Sequence, residues 1–139
     1  MEKYATVQPA ANQLELHPRM SSPSLRAMVA SGELKLALTA YGTGNSALIE
    51  KSPVVAEIAA RRGVSPVAVH VMWTLQRGVA VIPRTAKPAN MDENIKAAAM
   101  AAAEPLGDAD LAALDAMNAA HPYYWSPMPL LPPGAKPDC

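Results

Sequence analysis

A cation, a hydroxyl and a second cation, Arg84, Thr85 and Lys87, follow directly on the apolar run 79–82 and precede Pro88. Such a set can hold a phosphate, because arginine offers a planar fork of donors, threonine a hydroxyl and lysine a point charge. The flanking residues say how the set would be positioned. Val79, Ala80, Val81 and Ile82 read as a short buried strand, halted by Pro83, which has no N–H for a sheet ladder. Pro88 suits the first turn of a helix, where an N–H needs no partner. A strand that empties into basic and hydroxyl groups at a helix N-terminus turns free amides and the positive end of the helix dipole toward an anion. The same residues also read as an ordinary strand-to-helix turn with two solvated cations, and local chemistry does not choose between the two.

The elements that would carry this turn alternate along the chain. Residues 11–16 form a strand-length run ended by His17-Pro18. Ser21 or Ser22 followed by Pro23 starts a helix over 23–31, with Leu25, Met28 and Val29 on one face, and Gly32 stops it. The run 34–40 is apolar on both sides of its alternation apart from Lys35, which predicts a strand buried on both faces, as in parallel sheets. A glycine-punctuated loop over 41–46 leads to a helix at 53–62 capped by Ser52 and ended by Gly63. Ser65-Pro66 starts another helix that runs through Gln76, with Val69, Met72, Trp73 and Leu75 inward. Beyond the opening strand, 91–103 is alanine-rich and helical by propensity, and Pro105-Leu106-Gly107 breaks it. Asp108 is expected to cap a last helix carrying Leu111, Leu114 and Met117. Residues 1–5 read as the end of a helix, and the proline-rich stretch after 121 as a surface tail.

Strands alternating with helices predict a parallel α/β arrangement. Three strands are too few for a closed barrel, which takes about eight. The layout therefore reads as the back portion of a larger fold, with open sheet edges through which the chain is expected to associate.

Composition narrows the function classes. Twelve basic residues balance 12 acidic ones, so net charge gives no reason to expect nucleic acid or an anionic membrane as partner. No apolar run spans a bilayer, and the start of the chain lacks the apolar core of a signal peptide. The one cysteine, Cys139, can make no internal disulfide, which suggests a reducing, cytoplasmic location. No metal site is expected.

Four ordered motifs carry a resemblance. Asn12-Gln13-x-Glu15-x-His17-Pro18, then Thr39-Ala40-Tyr41, then Gln76-Arg77-Gly78-Val79-x-Val81-Ile82-Pro83-Arg84-Thr85, then Glu93-Asn94, together resemble the second half of an aldo-keto reductase. Ser65-Pro66 ahead of Trp73 fits the same pattern. The resemblance covers about residues 1–125, leaving 126–139 as the tail. It implies the C-terminal portion of a (β/α)8 barrel that binds NADP(H) and reduces small aldehydes and ketones. On that resemblance Gln13 would hydrogen-bond the nicotinamide carboxamide and Tyr41 would stack on the nicotinamide. Arg84 and Thr85 would hold the 2′-phosphate of the adenosine ribose, and Glu93 and Asn94 the amino edge of adenine. His17 is implied to be structural.

Two departures stand out. Asn90 occupies a position where the family often has an arginine packed on adenine, with Lys87 the nearby replacement charge. Tyr41-Gly42-Thr43-Gly44 stands where a Ser-Pro-Leu-Gly loop is common. The family's catalytic Asp, Tyr, Lys and His have no counterpart among these residues, so the chain alone is expected to be inactive. The alternative is a non-catalytic nucleotide-binding or barrel-completing fragment.

Overall fold

The computed structural model describes residues 5–43 and 51–118. In chain order these form strand β1 (Ala11–Glu15), helix α1 (Pro23–Ala30), strand β2 (Ala37–Tyr41), helices α2 (Pro53–Arg62) and α3 (Pro66–Gln76), strand β3 (Ala80–Val81), and helices α4 (Pro88–Ala103) and α5 (Asp108–Asp115). The sheet runs β1-β2-β3, and both pairings are parallel. Gln13 pairs with Thr39 and Glu15 with Tyr41, while Thr39 and Ala40 pair onward with Ala80 and Val81. This is the expected partial (β/α) layout of three parallel strands with flanking helices.

The two faces of the sheet differ. Leu16, Leu38, Ala40 and Val79 are buried and pack in one core with Val55, Ile58, Val69, Met72 and Trp73 from the helices. The alternate residues Ala11, Gln13, Ala37 and Ala80 are exposed, and Ile82 is 47% exposed. Two expectations change here. The second strand begins at Ala37, not at residue 34, and alternates exposed and buried rather than being buried on both faces. Its apolar run is long enough for double burial, but the helices pack against one side only. Residues 34–36 instead turn back, with the Leu34 N–H donating to the Met28 carbonyl at 3.0 Å. The third strand shrinks to Ala80–Val81, with one flanking strand to bond among the described residues and Pro83 close behind it.

Helix α3 is the centre of the packing. Residues 68–74 are all buried, so the helix is covered all round rather than along a stripe. The Ser65-Pro66 start signal works through its hydroxyl, which accepts from the Ala68 N–H at 3.1 Å. The other two serine caps place their helices without using the side chain on the backbone. Ser52 Oγ meets Met117 Sδ at 3.8 Å, and Ser22 sits at φ 42 with no side-chain cap bond. Gly107, not Asp108, is the residue that precedes α5; Asp108 and Asp110 lie in its first turn, where they suit the dipole.

The Gln76-Arg77-Gly78 motif is a fastening. The Gln76 side chain donates to the Leu106 carbonyl at 3.1 Å and accepts from the Leu106 N–H at 2.9 Å, pinning the break between α4 and α5. Arg77 pairs with Asp115, and Gly78 turns the chain into β3 at φ 72, a left-handed conformation that disfavours side chains. Leu106 is 2% exposed, so Gln76→Ala would strand two buried backbone groups. We expect a loss of roughly 2 kcal/mol in urea unfolding; a change below about 0.5 kcal/mol would mean water replaces the amide.

Candidate functional site

Thr85 shapes the exit from β3. Its hydroxyl oxygen accepts from the Lys87 N–H at 3.1 Å, a tight local turn that delivers Pro88 to the first position of α4. The amides of Asn90 and Met91 donate back to the Lys87 carbonyl, and Pro88 has none. The free-amide cradle expected from sequence is therefore largely used up by the helix itself. Any anion here must be held mainly by side chains.

Those side chains converge. Arg84, Thr85, Asn90, Glu93 and Asn94 line one cavity of about 320 Å³ together with Ser65 and Pro83. Arg84 is exposed and forms no ion pair or hydrogen bond among the described residues. Thr85 uses a lone pair on Lys87, which leaves its O–H to donate. Glu93 is oriented, because its Oε1 accepts from the Ser65 N–H at 3.2 Å at the start of α3. Asn90 and Glu93 also line a neighbouring crevice of about 410 Å³ between α3 and α4, with Asp92, Lys96 and Met100.

The other two residues singled out from sequence lie elsewhere. Gln13 and Tyr41 project from the sheet face that the helices leave open, since the register puts Gln13, Thr39 and Ala80 side by side and Tyr41 two residues along from Thr39. Gln13 is exposed and Tyr41 half-buried. The six candidates thus form two groups, one on the open face and one around the cavity beyond the C-terminal end of β3.

The Aldo/keto reductase family model matches residues 3–119. The chain belongs to the aldo-keto reductase family. It is 33% identical over 104 residues to the NAD(P)H-dependent D-xylose reductase of Hypocrea jecorina, covering 66% of this chain and 32% of that protein. An aldo-keto reductase enzyme from a Medee basin deep-sea metagenome library, MGS-M4, matches in fold with a TM-score of 0.76 at 19% identity, over 88% of this chain and 44% of that one. A point mutant of Gox0644 in complex with NADPH gives a TM-score of 0.69 at 25% identity, over 84% of this chain and 41% of that one. These structural neighbours are TIM barrels, and the three parallel strands correspond to part of such a barrel. The chain spans about a third of the length of the curated relatives it matches.

In an aldo-keto reductase barrel the open face of this sheet is the inward one, and the strand exits form the rim where such folds carry their sites. Both groups of candidate residues lie on that inward face or at that rim. The His17 of the first motif has a structural place: Nε2 lies 2.9 Å from Glu15 Oε1, and both residues are buried. Burial holds the His17 pKa below its usual value, partly opposed by Glu15, so the pair is a polar plug at the end of β1.

Sequence reading passes over two residues near these groups. Ser65 reads only as a helix cap, yet its N–H fixes Glu93. His70 carries no signal of a function and proves to be wholly buried, its pKa pushed down to about 4 chiefly by that burial. An unbroken run of buried α3 residues hides a polar member among apolar ones, and only the capping pattern could have hinted at Ser65. Among the described residues there is no group of three or more metal-ligating side chains, and no helix is long and apolar enough to cross a membrane.

Proposed function

We infer that this chain grips NADP(H) along the C-terminal rim of its sheet, as the cofactor-holding part of an NADP(H)-dependent reductase of aldehydes and ketones. The observation that carries this reading is the convergence of Arg84, Thr85, Glu93 and Asn94 on one cavity of about 320 Å³, with the Arg84 cation unpaired among the described residues. A cavity of that size suits a phosphorylated ribose or a purine rather than a whole dinucleotide. Tyr41 and Gln13, on the open face, would hold the nicotinamide end.

Each side chain has a task its chemistry allows. Arg84 presents its fork to the 2′-phosphate and Thr85 donates its O–H. Glu93, steadied by Ser65, accepts from the adenine amine beside Asn94. Asn90 brings no charge, so Lys87 shares the phosphate with Arg84. Tyr41 covers one face of the nicotinamide, and Gln13 hydrogen-bonds its carboxamide. When bound, the cofactor supplies a hydride to the carbonyl carbon. The alkoxide so formed needs a proton, and no residue of this sequence matches the family's donor set, so the 139-residue polypeptide holds cofactor without completing the reduction. A cytoplasmic setting fits the lone cysteine.

Fluorescence titration with NADPH tests the grip. Binding by the wild-type chain should weaken about tenfold in Arg84→Ala, the worth of a charge-assisted hydrogen bond. An unchanged affinity in that variant refutes the phosphate site. The same preparation should show no NADPH-dependent reduction of 4-nitrobenzaldehyde, and turnover above background would refute the claim that a proton donor is lacking.

A further inference from the structure

His70 sits midway along α3, and neither the core nor the cofactor reading uses its ring. Its Nδ1 lies 3.2 Å from the Thr43 carbonyl oxygen, and its Nε2 lies 3.2 Å from that of Leu16. Leu16 is the first residue after β1, and Thr43 lies two residues past Tyr41, the last residue of β2. One imidazole therefore bridges the exits of two neighbouring strands.

Both partners are acceptors, and a neutral imidazole carries a single N–H. It can bond one carbonyl at a time, with a lone pair facing the other. An imidazolium would bond both, but the surroundings oppose the charge. The ring is buried, the His17 ring meets it edge-on at 6.3 Å, and the Trp73 ring lies 6.2 Å away. The carboxylate on this side, Glu15, is engaged with His17 at 2.9 Å, and Arg26 stands beyond the Trp73 ring at 5.8 Å from its centre. The ring is thus neutral with two competing tautomers, each tied to a different strand exit. Two further polar atoms in this neighbourhood, His17 Nδ1 and Thr43 Oγ1, are buried without a hydrogen-bond partner among the described residues, so among these the cluster has room to re-pair.

We propose that His70 is a positioning residue for the cofactor site: by bonding either the Leu16 or the Thr43 carbonyl, its ring sets the chain that follows Tyr41 at the end of β2, and through it the placement of Tyr41. The proposal rests on the reading of Tyr41 as the ring placed against nicotinamide. A cofactor seated on Tyr41 favours the tautomer that bonds Thr43, and that bond in turn fixes Tyr41 for the cofactor.

Two probes separate this role from the cofactor reading itself. NADPH reaches both the cavity and Tyr41, whereas adenosine 2′,5′-bisphosphate has the phosphates and adenine but no nicotinamide. In the full chain with isotope-labelled histidine, NMR of the ring nitrogens should show His70 as a tautomer mixture. NADPH should drive it toward one tautomer, and the bisphosphate should leave it unmoved. His70→Leu should weaken NADPH roughly 3- to 10-fold, the worth of one neutral hydrogen bond, and leave bisphosphate affinity unchanged. His70→Gln, which keeps an N–H donor, should recover part of the loss and serves if the leucine variant does not fold. An equal loss for both ligands, or His70 signals indifferent to bound NADPH, overturns the positioning role while the cofactor reading stands. If the wild-type chain binds neither probe, the cofactor reading falls and the role falls with it.

Discussion

Replacing Trp73 by alanine is expected to cost roughly 4 kcal/mol, a large part of the stability of a domain this size. The side chain is completely buried at the middle of the core. Its removal empties a space bounded by α3 and its neighbours, which the surrounding rings and aliphatic chains cannot fill without leaving their rotamers. The loss is polar as well as apolar. Trp73 Nε1 donates to Asp115 Oδ1 at 2.9 Å, and Arg26 lies over its ring at 5.8 Å, so one indole connects α1, α3 and α5. Trp73→Phe separates the two terms, because it keeps most of the bulk and deletes the N–H. Asp115 retains Arg77 in that variant, and a cost of about 1 kcal/mol is expected. Urea denaturation reads both variants, and an alanine cost below about 1 kcal/mol would show that the core collapses around the gap.

Lowering the pH from about 7 to 4 should remove roughly 3 kcal/mol of stability through His70 alone. The folded pKa lies near 4 against an ordinary 6.5. Above 6.5 both folded and unfolded chains carry the neutral ring, and the stabilisation is fully present. As the pH falls below 6.5 the unfolded chain takes up a proton that the native state refuses. Stability is lost through that window and the loss is complete once the pH passes the folded value. The main cause is burial, with His17 adding to it and the two carbonyl contacts opposing it. His17, itself held below its usual pKa by burial, pulls in the same direction. Urea midpoints measured across the window should fall with pH in the wild-type chain and fall less steeply in His70→Gln. A wild-type profile that stays flat between about pH 6.5 and 5 would contradict the burial argument.

Both effects arise in α3, whose importance the sequence only partly declares. Its start at Ser65-Pro66 and its end before Gly78 follow from residues acting on their own backbone, and its Met72 and Trp73 stripe is legible as core. That the positions flanking that stripe are buried too, with His70 and Thr74 on them, is not legible. Thr74 satisfies itself by donating to the His70 carbonyl at 2.9 Å, a local solution that a polar residue in a buried helix can always adopt. His70 has no such local solution and must borrow partners from two loops.

The candidate site divides in the same way. Four of its six residues are close in the chain, and sequence reading groups Arg84, Thr85, Glu93 and Asn94 around what proves to be one cavity. Of the helix amides that sequence reading assigns to the same site, those of Asn90 and Met91 prove to be occupied within the turn, and Pro88 has none. The expectation for strand 34–40 fails for a related reason: an apolar run records what a strand tolerates, while the covering elements decide which of its faces is dry.

By itself, then, the sequence determined where helices begin and end, the parallel alternation of strands and helices, and the motif order that marks an aldo-keto reductase. Proline, glycine and serine act on the backbone within a few residues, so their effects survive without knowledge of the fold. Only the tertiary structure decided that one sheet face is open, that Ser65 orients Glu93 across 28 residues, and that His70 meets Thr43 and Leu16 across 27 and 54. Those contacts join groups whose own sequence neighbourhoods carry no trace of the partner. They exist because packing α3 against the sheet removes water from polar atoms, which must then pair with whatever the fold has brought near.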